Sequence, residues 1–195
     1  ARSMFVVGVR QVLHVHPAKT CLREDVVAKT RLCGELNVVF ELCMRYNELE
    51  DAAALAELVP ETRFVVDHCG GHHQLDASSQ HEEEKWRNGI RQLAKCRNVW
   101  CKISGLLGAQ GGTKGASGAP WTPAAQAQTT SFCLDTFSAD RVIFGGDWPV
   151  CTLTAPLVAW VECVALLVAG RSDKAQAQLW RENAVEVYGL QVPKL

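Results

Sequence analysis

The 195-residue sequence has no excess of charge of either sign, since 20 lysine and arginine residues stand against 21 aspartate and glutamate residues. This balance gives no electrostatic case for binding nucleic acid or an anionic membrane surface. The most apolar stretch, residues 155–170, contains a proline and a glutamate and is shorter than the ~20 residues that a membrane span needs. The first residues also lack the long apolar stretch of a secretion signal. We therefore expect a cytoplasmic protein with neither nucleic acid nor a membrane as partner.

The sequence contains nine cysteines but no CxxC pair. The number is odd, the spacing is scattered, and Cys43, Cys101, Cys133 and Cys163 lie inside apolar runs. This pattern favours reduced, mostly buried thiols in a reducing compartment, with a disulfide framework as the alternative.

Two common catalytic signatures are also absent. There is no G-x-S-x-G segment for a serine nucleophile, and the glycine-rich stretch at residues 105–118 does not match a phosphate-binding loop. Nucleophilic serine chemistry and nucleotide binding therefore have little support.

Short apolar runs rich in β-branched residues alternate with longer helical patterns, which is typical of βαβ units and a parallel sheet. We predict one α/β domain over residues 1–195, either a five-stranded doubly wound sheet or part of a (β/α)₈ barrel. The predicted strands are residues 5–13, 37–42, 63–67, 98–103 and 141–144. The predicted helices are residues 23–34, 48–58, 82–96, 122–137, 156–169 and 172–188. Segments 69–81 and 105–120 each follow a strand, on the side where parallel sheets bind ligands.

Asp147 and His68 are the strongest candidates for chemistry. Asp147 follows the strand 141–144 and two glycines, so it suits a general base or a metal ligand at a strand end. His68 ends the strand 63–67 and is suited to binding metal or a substrate carbonyl, while Asp67 alternates to the other face. The alternatives are a turn aspartate and a loop histidine bonded to the backbone.

Other polar residues near the predicted strand ends are weaker candidates. Arg10 lies inside the first strand, where a buried guanidinium needs an anionic partner or ligand. Lys102 either reaches the surface or faces an anionic substrate, and Ser104 and Arg45 also follow strands. His14 and His16 form an H-x-H motif that can chelate a metal only if the strand continues to Pro17. His72 and His73 are adjacent in a loop, and we interpret both as solvated.

Several segments, in this order, resemble the amidohydrolase-2 family, in particular its lactonase-like branch. They are residues 8–10 (GVR), 64–68 (FVVDH), 98–105 (NVWCKISG), 141–151 (RVIFGGDWPVC) and 182–189 (ENAVEVYG). The resemblance implies a (β/α)₈ barrel of which this chain supplies about five βα units, the fourth to the eighth strand. The family's opening strand, which ends in H-x-H, is not among them, so that role is not carried onto His14 and His16.

The resemblance also implies a reaction and a set of site residues. Asp147 would activate water, and later protonate the leaving group, to open a sugar-acid or dicarboxylate lactone, and His68 would polarise the carbonyl or bind a metal. One divalent ion, with zinc favoured, would be held by His68 and Asp147, and a metal-free site is the alternative. A small anionic or sugar-acid substrate would contact Arg10, His14, Arg45, Lys102, Ser104 and Trp148.

Two other functions stay open from the sequence: a zinc-dependent decarboxylase of the same superfamily, and a truncated relative without catalysis. An open arc of five strands would expose strand edges, which promotes association. We therefore expect that the 195-residue chain by itself does not behave as a normal monomeric barrel, and that an oligomer can form.

Overall fold

The computed structural model describes residues 5–75, 79–107 and 122–192. Its centre is one parallel sheet with the strand order β1-β2-β3-β4-β5, so each strand pairs with the next one in the sequence. The strands are β1 (Gly8–Val12), β2 (Val39–Cys43), β3 (Phe64–Val66), β4 (Val99–Ile103) and β5 (Val142–Phe144). All five predicted strands are confirmed, and this order is that of an arc cut from a (β/α)₈ barrel.

Five of the six predicted helices are confirmed, with ends within about two residues of the prediction, and the sixth, 172–188, is interrupted. The helices are α1 (Glu24–Glu35), α2 (Leu49–Leu58), α4 (Gln80–Lys95), α5 (Pro123–Phe137), α6 (Leu157–Val168), α7 (Asp173–Ala177) and α8 (Asn183–Tyr188). The short segment α3 (His68–Gly71) has left-handed backbone angles and belongs to the site below. Among the described residues, no helix combines the length and apolar character required to cross a membrane.

Helix boundaries follow from local side-chain chemistry. The Thr122 hydroxyl accepts a hydrogen bond from the amide of Ala125, and Pro123 is the first residue of α5. The side chains of Ser79 and Ser172 cap α4 and α7 in the same way.

Strands β2 to β5 are largely buried on both faces, which explains why they are almost continuously apolar, whereas β1 is partly exposed. Phe40, Leu42, Phe64, Val66 and Cys101 point to the helix side and belong to the main hydrophobic core. The alternate strand positions point to the other face, which corresponds to the interior of a barrel. There a smaller core joins Val39, Val65 and Ile143 to Val187, with Trp100 and Tyr188 packed against it.

The predicted helix 172–188 is interrupted, and this corrects the expectation of one continuous element. Gln178–Glu182 forms a π-helical turn between α7 and α8. Within α8, Asn183 Nδ2 donates to the carbonyls of Ala139 and Val142, each at 2.7 Å, which fixes α8 beside β5. The Tyr188 ring consequently reaches Gly8 and Glu41 on the interior face.

The nine cysteines are all free, and eight of them are buried. The prediction that most of the thiols are buried core residues is therefore confirmed. The predicted loop 105–120 lies mostly outside the described residues.

Candidate active site

His68 begins a turn in which four successive residues have left-handed backbone angles. The φ values are 56° at His68, 50° at Cys69, 67° at Gly70 and 74° at Gly71. A side chain disfavours this conformation by about 1–2 kcal/mol per residue, so such a run is rare outside glycine. The predicted irregular loop after β3 therefore begins with one left-handed turn.

Packing makes glycine necessary in the second half of this turn. A Cβ atom at Gly70 would lie 2.9 Å from Cδ1 of both Leu49 and Ile90. A Cβ atom at Gly71 would lie 2.7 Å from the carbonyl oxygen of Met44, which belongs to the backbone and cannot move easily. The two glycines let the chain reverse directly beneath the histidine.

The turn fixes the direction of the His68 ring. The Trp86 indole donates a 2.7 Å hydrogen bond to the carbonyl of Cys69, which holds the turn against α4. On the ring itself, Nδ1 lies 2.9 Å from Ser104 Oγ at the end of β4. Gly105 leaves room for the ring, because a Cβ atom there would lie 2.6 Å from it. Nε2 is left pointing towards the loop after β5.

Asp147 lies in that loop and also has a positive φ, 53°. Two hydrogen bonds hold Gly145, which precedes Asp147 by two residues. Its amide donates to the carbonyl of Ile103, and its own carbonyl accepts from the Trp160 indole at 2.9 Å. Asp147 Oδ1 lies 3.8 Å from His68 Nε2. The structure thus brings together the two residues that the sequence singled out.

The surroundings of Asp147 raise the pKa of its carboxyl above the ordinary value. Burial is the largest cause and the negative charge of Asp67 adds to it, while His68, Arg10 and Lys102 act in the opposite direction. A carboxylate with a raised pKa takes a proton from water more readily, which is what a general base requires.

Below this pair, two carboxylates and two cations form what we term the charge ladder, consisting of Arg10, Glu41, Asp67 and Lys102. Arg10 Nε lies 3.2 Å from Glu41 and 2.9 Å from Asp67. Lys102 Nζ lies 2.9 Å from Glu41 and 2.8 Å from Asp67. The Asp67 side chain is fully buried, and Glu41 also accepts a hydrogen bond from the Tyr188 hydroxyl.

The charge ladder changes the interpretation of the two cations. Each is compensated by the same two carboxylates. Arg10 therefore has the anionic partner that the sequence predicts, but its side chain is 43% exposed and not buried as expected. Burial would raise the pKa of Glu41, but Lys102, the Tyr188 hydroxyl and Arg10 together hold it below its usual value. Sequence reasoning missed Glu41, although a single glutamate inside the apolar run 38–44 is a signal for a buried ion pair.

The remaining predicted residues lie at different distances from the His68–Asp147 pair. His14 Nδ1 lies 3.4 Å from the Cys43 thiol at the end of β2, whereas His16 is exposed, so the H-x-H side chains do not converge. Arg45 Nη1 lies 3.1 Å from both Glu48 and the His16 carbonyl, and the structure does not bring it into the charge ladder. Trp148 follows Asp147 and is 70% exposed.

The interpretation of His72 and His73 as solvated is wrong. His72 Nε2 lies 3.1 Å from Glu83, and its ring packs on Trp86 at 4.5 Å between centroids. The His73 ring lies 6.1 Å from that of His68. Burial lowers the pKa of both residues, in the case of His73 to about 4. The sequence does not predict this burial, because the left-handed turn that places His72 and His73 against α4 and His68 is not encoded in a local pattern.

The donor atoms suit a divalent metal such as zinc. Ligand atoms on a tetrahedral zinc ion are roughly 3.4 Å apart, and the 3.8 Å between His68 Nε2 and Asp147 Oδ1 is close to that separation. Donor atoms of Cys43, Asp67 and His68 also lie within 4.8 Å of one another. Because Asp67 is engaged by two cations, His68 and Asp147 are the better ligands.

A sequence model of the amidohydrolase family matches residues 1–190. The chain belongs to the amidohydrolase family. It is 27% identical over 190 residues to a protein of Sinorhizobium fredii, covering 93% of this chain and 60% of the relative. It is also 27% identical over 168 residues to an L-fucono-1,5-lactonase of Burkholderia multivorans, covering 80% of this chain and 52% of the lactonase.

A solved structure shows the same fold in this family. An amidohydrolase from Burkholderia multivorans with bound zinc matches with a TM-score of 0.83 and 25% identity, covering 94% of this chain and 64% of that protein. The predicted fold is thereby confirmed: this amidohydrolase chain is an arc of the barrel, and it spans about half to two thirds of the length of these relatives.

Proposed function

We propose that this amidohydrolase chain is part of a lactone hydrolase and carries catalytic residues of that enzyme, with Asp147 as the general base. The observation that carries the proposal is the facing pair of His68 Nε2 and Asp147 Oδ1, each on a residue with a strained, left-handed backbone. Such strain in non-glycine residues concentrates at functional sites. The named lactonase relative supports the choice of a cyclic ester as substrate.

In the proposed reaction, a water molecule held by Asp147 attacks the lactone carbonyl. The carboxylate takes the proton from water as the new C–O bond forms. His68 stabilises the negative charge that develops on the carbonyl oxygen by donating from Nε2, a tautomer that requires the Ser104 hydroxyl to donate to Nδ1. The ring C–O bond then breaks, and the proton passes from Asp147 to the leaving alkoxide.

His68 and Asp147 are also the residues that would hold a zinc ion. Zinc held there would supply Lewis-acid catalysis to the hydrolysis. With that ion bound, His68 Nδ1–H would donate a hydrogen bond to Ser104 Oγ, which leaves the Nε2 lone pair free to bind the metal.

The charge ladder favours a hydroxylated lactone over a dicarboxylate lactone. Arg10 and Lys102 are each compensated by Glu41 and Asp67, so the interior face offers hydrogen-bond partners more than net positive charge. Hydroxyl groups of a sugar-acid lactone can use such partners without separating an ion pair. We therefore propose a sugar-acid lactone as the substrate class.

The test is the rate of lactone hydrolysis by an Asp147→Asn variant, with a panel of sugar-acid lactones as substrates. Removing a general base should lower kcat by about 10²- to 10⁴-fold, with little change in KM. Asp135→Asn is the matched control, because Asp135 is an exposed helical residue paired with Arg171. Turnover of the Asp147→Asn variant at the wild-type rate would overturn the role of Asp147 as base.

A further inference from the structure

A second group of metal-binding side chains lies outside the His68–Asp147 pair. Cys69 in α3, Cys101 in β4 and Cys133 in α5 place their sulfur atoms within 4.8 Å of one another. All three side chains are fully buried. We refer to these residues as the thiol triad. It draws one cysteine from each of three elements that are distant in the sequence, so the fold alone brings the sulfurs together.

The spacing of the sulfurs suits coordination of a single ion. With metal–sulfur bonds of about 2.3 Å, three thiolates around one ion lie roughly 4 Å apart. Thiolates select soft ions such as Cu(I), zinc and their heavier relatives over Mg²⁺ or Ca²⁺. Among the described residues, the only other metal-compatible group contains Cys43 with the harder ligands Asp67 and His68. The other six cysteines therefore lack two thiol neighbours at this spacing.

We propose that the thiol triad is a binding site for one soft, thiophilic metal ion. Binding replaces the thiol protons by the metal. A divalent ion held by three thiolates releases three protons to solvent and leaves a net charge of −1, with no change in oxidation state. This site is separate from the proposed lactone hydrolysis and does not depend on it.

The triad has direct backbone links to the candidate active site. Cys69 is the residue after His68, and Cys101 is the residue before Lys102. The Cys69 sulfur also lies 3.8 Å from the Lys102 carbonyl oxygen. A metal bound at the triad therefore fixes the second residue of the left-handed turn, and because it binds the folded state it should raise Tm.

The experiment adds Cd²⁺, as a spectroscopic probe, or Cu(I) to metal-free, reduced protein by dialysis, since the buried sulfurs need time for access. We expect one thiolate-bound ion per chain, beside any ion held by His68 and Asp147, with a thiolate-to-metal charge-transfer band in the ultraviolet and a raised Tm. Loss of an outer-shell partner alone commonly lowers metal affinity 10- to 100-fold, so Cys133→Ser, which removes a ligand, should lower it by about 100-fold or more.

Two matched variants separate the triad from other thiols. Cys163→Ser removes a buried cysteine of α6 that belongs to no metal-compatible group, and Cys43→Ser removes the thiol beside His68. Both should retain the charge-transfer band and the affinity. A band that disappears in Cys43→Ser but persists in Cys133→Ser would contradict the proposal, as would the absence of any band in the wild-type protein.

X-ray absorption of the loaded wild-type protein keeps the proposal testable if Cys133→Ser does not fold. It counts the sulfur atoms around the ion directly. Three sulfur ligands around a bound Cu(I) ion support the triad, and two or fewer overturn it.

Discussion

At the scale of single residues, the site is built on positive φ angles at His68 and Asp147. Neither residue is glycine, so each holds a conformation that costs about 1–2 kcal/mol and that the surrounding structure must sustain. The hydrogen bonds from Trp86 to Cys69 and from Trp160 to Gly145 anchor the two segments concerned. Two core tryptophans thereby connect the packing of the helices to the direction of the His68 and Asp147 side chains.

Gly71→Ala tests the left-handed turn. The added Cβ would meet the Met44 carbonyl oxygen at 2.7 Å and would also disfavour the φ of 74°. We expect the free energy of unfolding to fall by about 2–4 kcal/mol, together with a loss of activity, because His68 is displaced.

Gly170→Ala is the control for this substitution, since a Cβ there meets nothing within 4 Å. Urea denaturation of both variants measures the difference. Equal stability of Gly71→Ala and Gly170→Ala would show that the left-handed turn is not under constraint.

At the scale of elements, the parallel register determines which charges meet. Arg10 of β1 is directly paired with Glu41 of β2, and Lys102 reaches the same carboxylate from β4. The charge ladder therefore links β1, β2, the end of β3 and β4 by ion pairs on the interior face. Such a network is costly to break on one side, because a buried charge then loses its partner.

Glu41→Gln should destabilise the protein by about 1–3 kcal/mol at neutral pH, because it leaves Lys102 with one carboxylate fewer. Part of the attraction between Glu41 and Arg10 is screened by solvent, since the Arg10 side chain is 43% exposed. Glu61→Gln is the control, as it removes an ion pair whose two side chains are both largely exposed.

The pH dependence of this difference follows from the lowered pKa of Glu41. The folded state holds the carboxylate more strongly than the unfolded chain does, so its stabilisation is present above the unfolded pKa near 4.3. It is lost as the pH falls through the lower, folded pKa. The destabilisation by Glu41→Gln, measured by thermal unfolding, should thus shrink in acid, and a constant difference from pH 7 to pH 3 would argue against the ladder.

At the scale of the whole molecule, the sheet is an open arc whose first strand has apolar residues in solvent. In β1, Val9 and Val12 are each 39% exposed. An edge strand of this kind pairs readily with another chain. We expect the 195-residue chain, expressed by itself, to self-associate as its concentration rises.

Val9→Lys should weaken this association, because a charged residue on an edge strand opposes pairing. Leu166→Lys is the matched control: it removes an apolar side chain that is 69% exposed on α6, away from the edge. Sedimentation velocity over a concentration series distinguishes them. A monomer at all concentrations, or an equal effect of both substitutions, would contradict association through β1.

The strands and helices of this chain can be predicted from its sequence, because local patterns of apolar and capping residues indicate them. Thr122 and Pro123 mark the start of α5, and the strand ends place His68 and Asp147 on one edge. The left-handed turn and the π-helical turn depend on packing between distant elements, which no local pattern encodes. The same is true of the partners of Arg10, since they depend on the register between strands.

The most direct test of the central claim is a double-mutant cycle on kcat/KM for lactone hydrolysis, with His68→Gln, Asp147→Asn and the double variant. If the two side chains act on one transition state, the double variant should lose little more than the more damaged single variant. If the fold-loss in kcat/KM of the double variant equals the product of the two single-variant losses, the two residues act independently. That result would contradict the account of His68 and Asp147 as one catalytic pair.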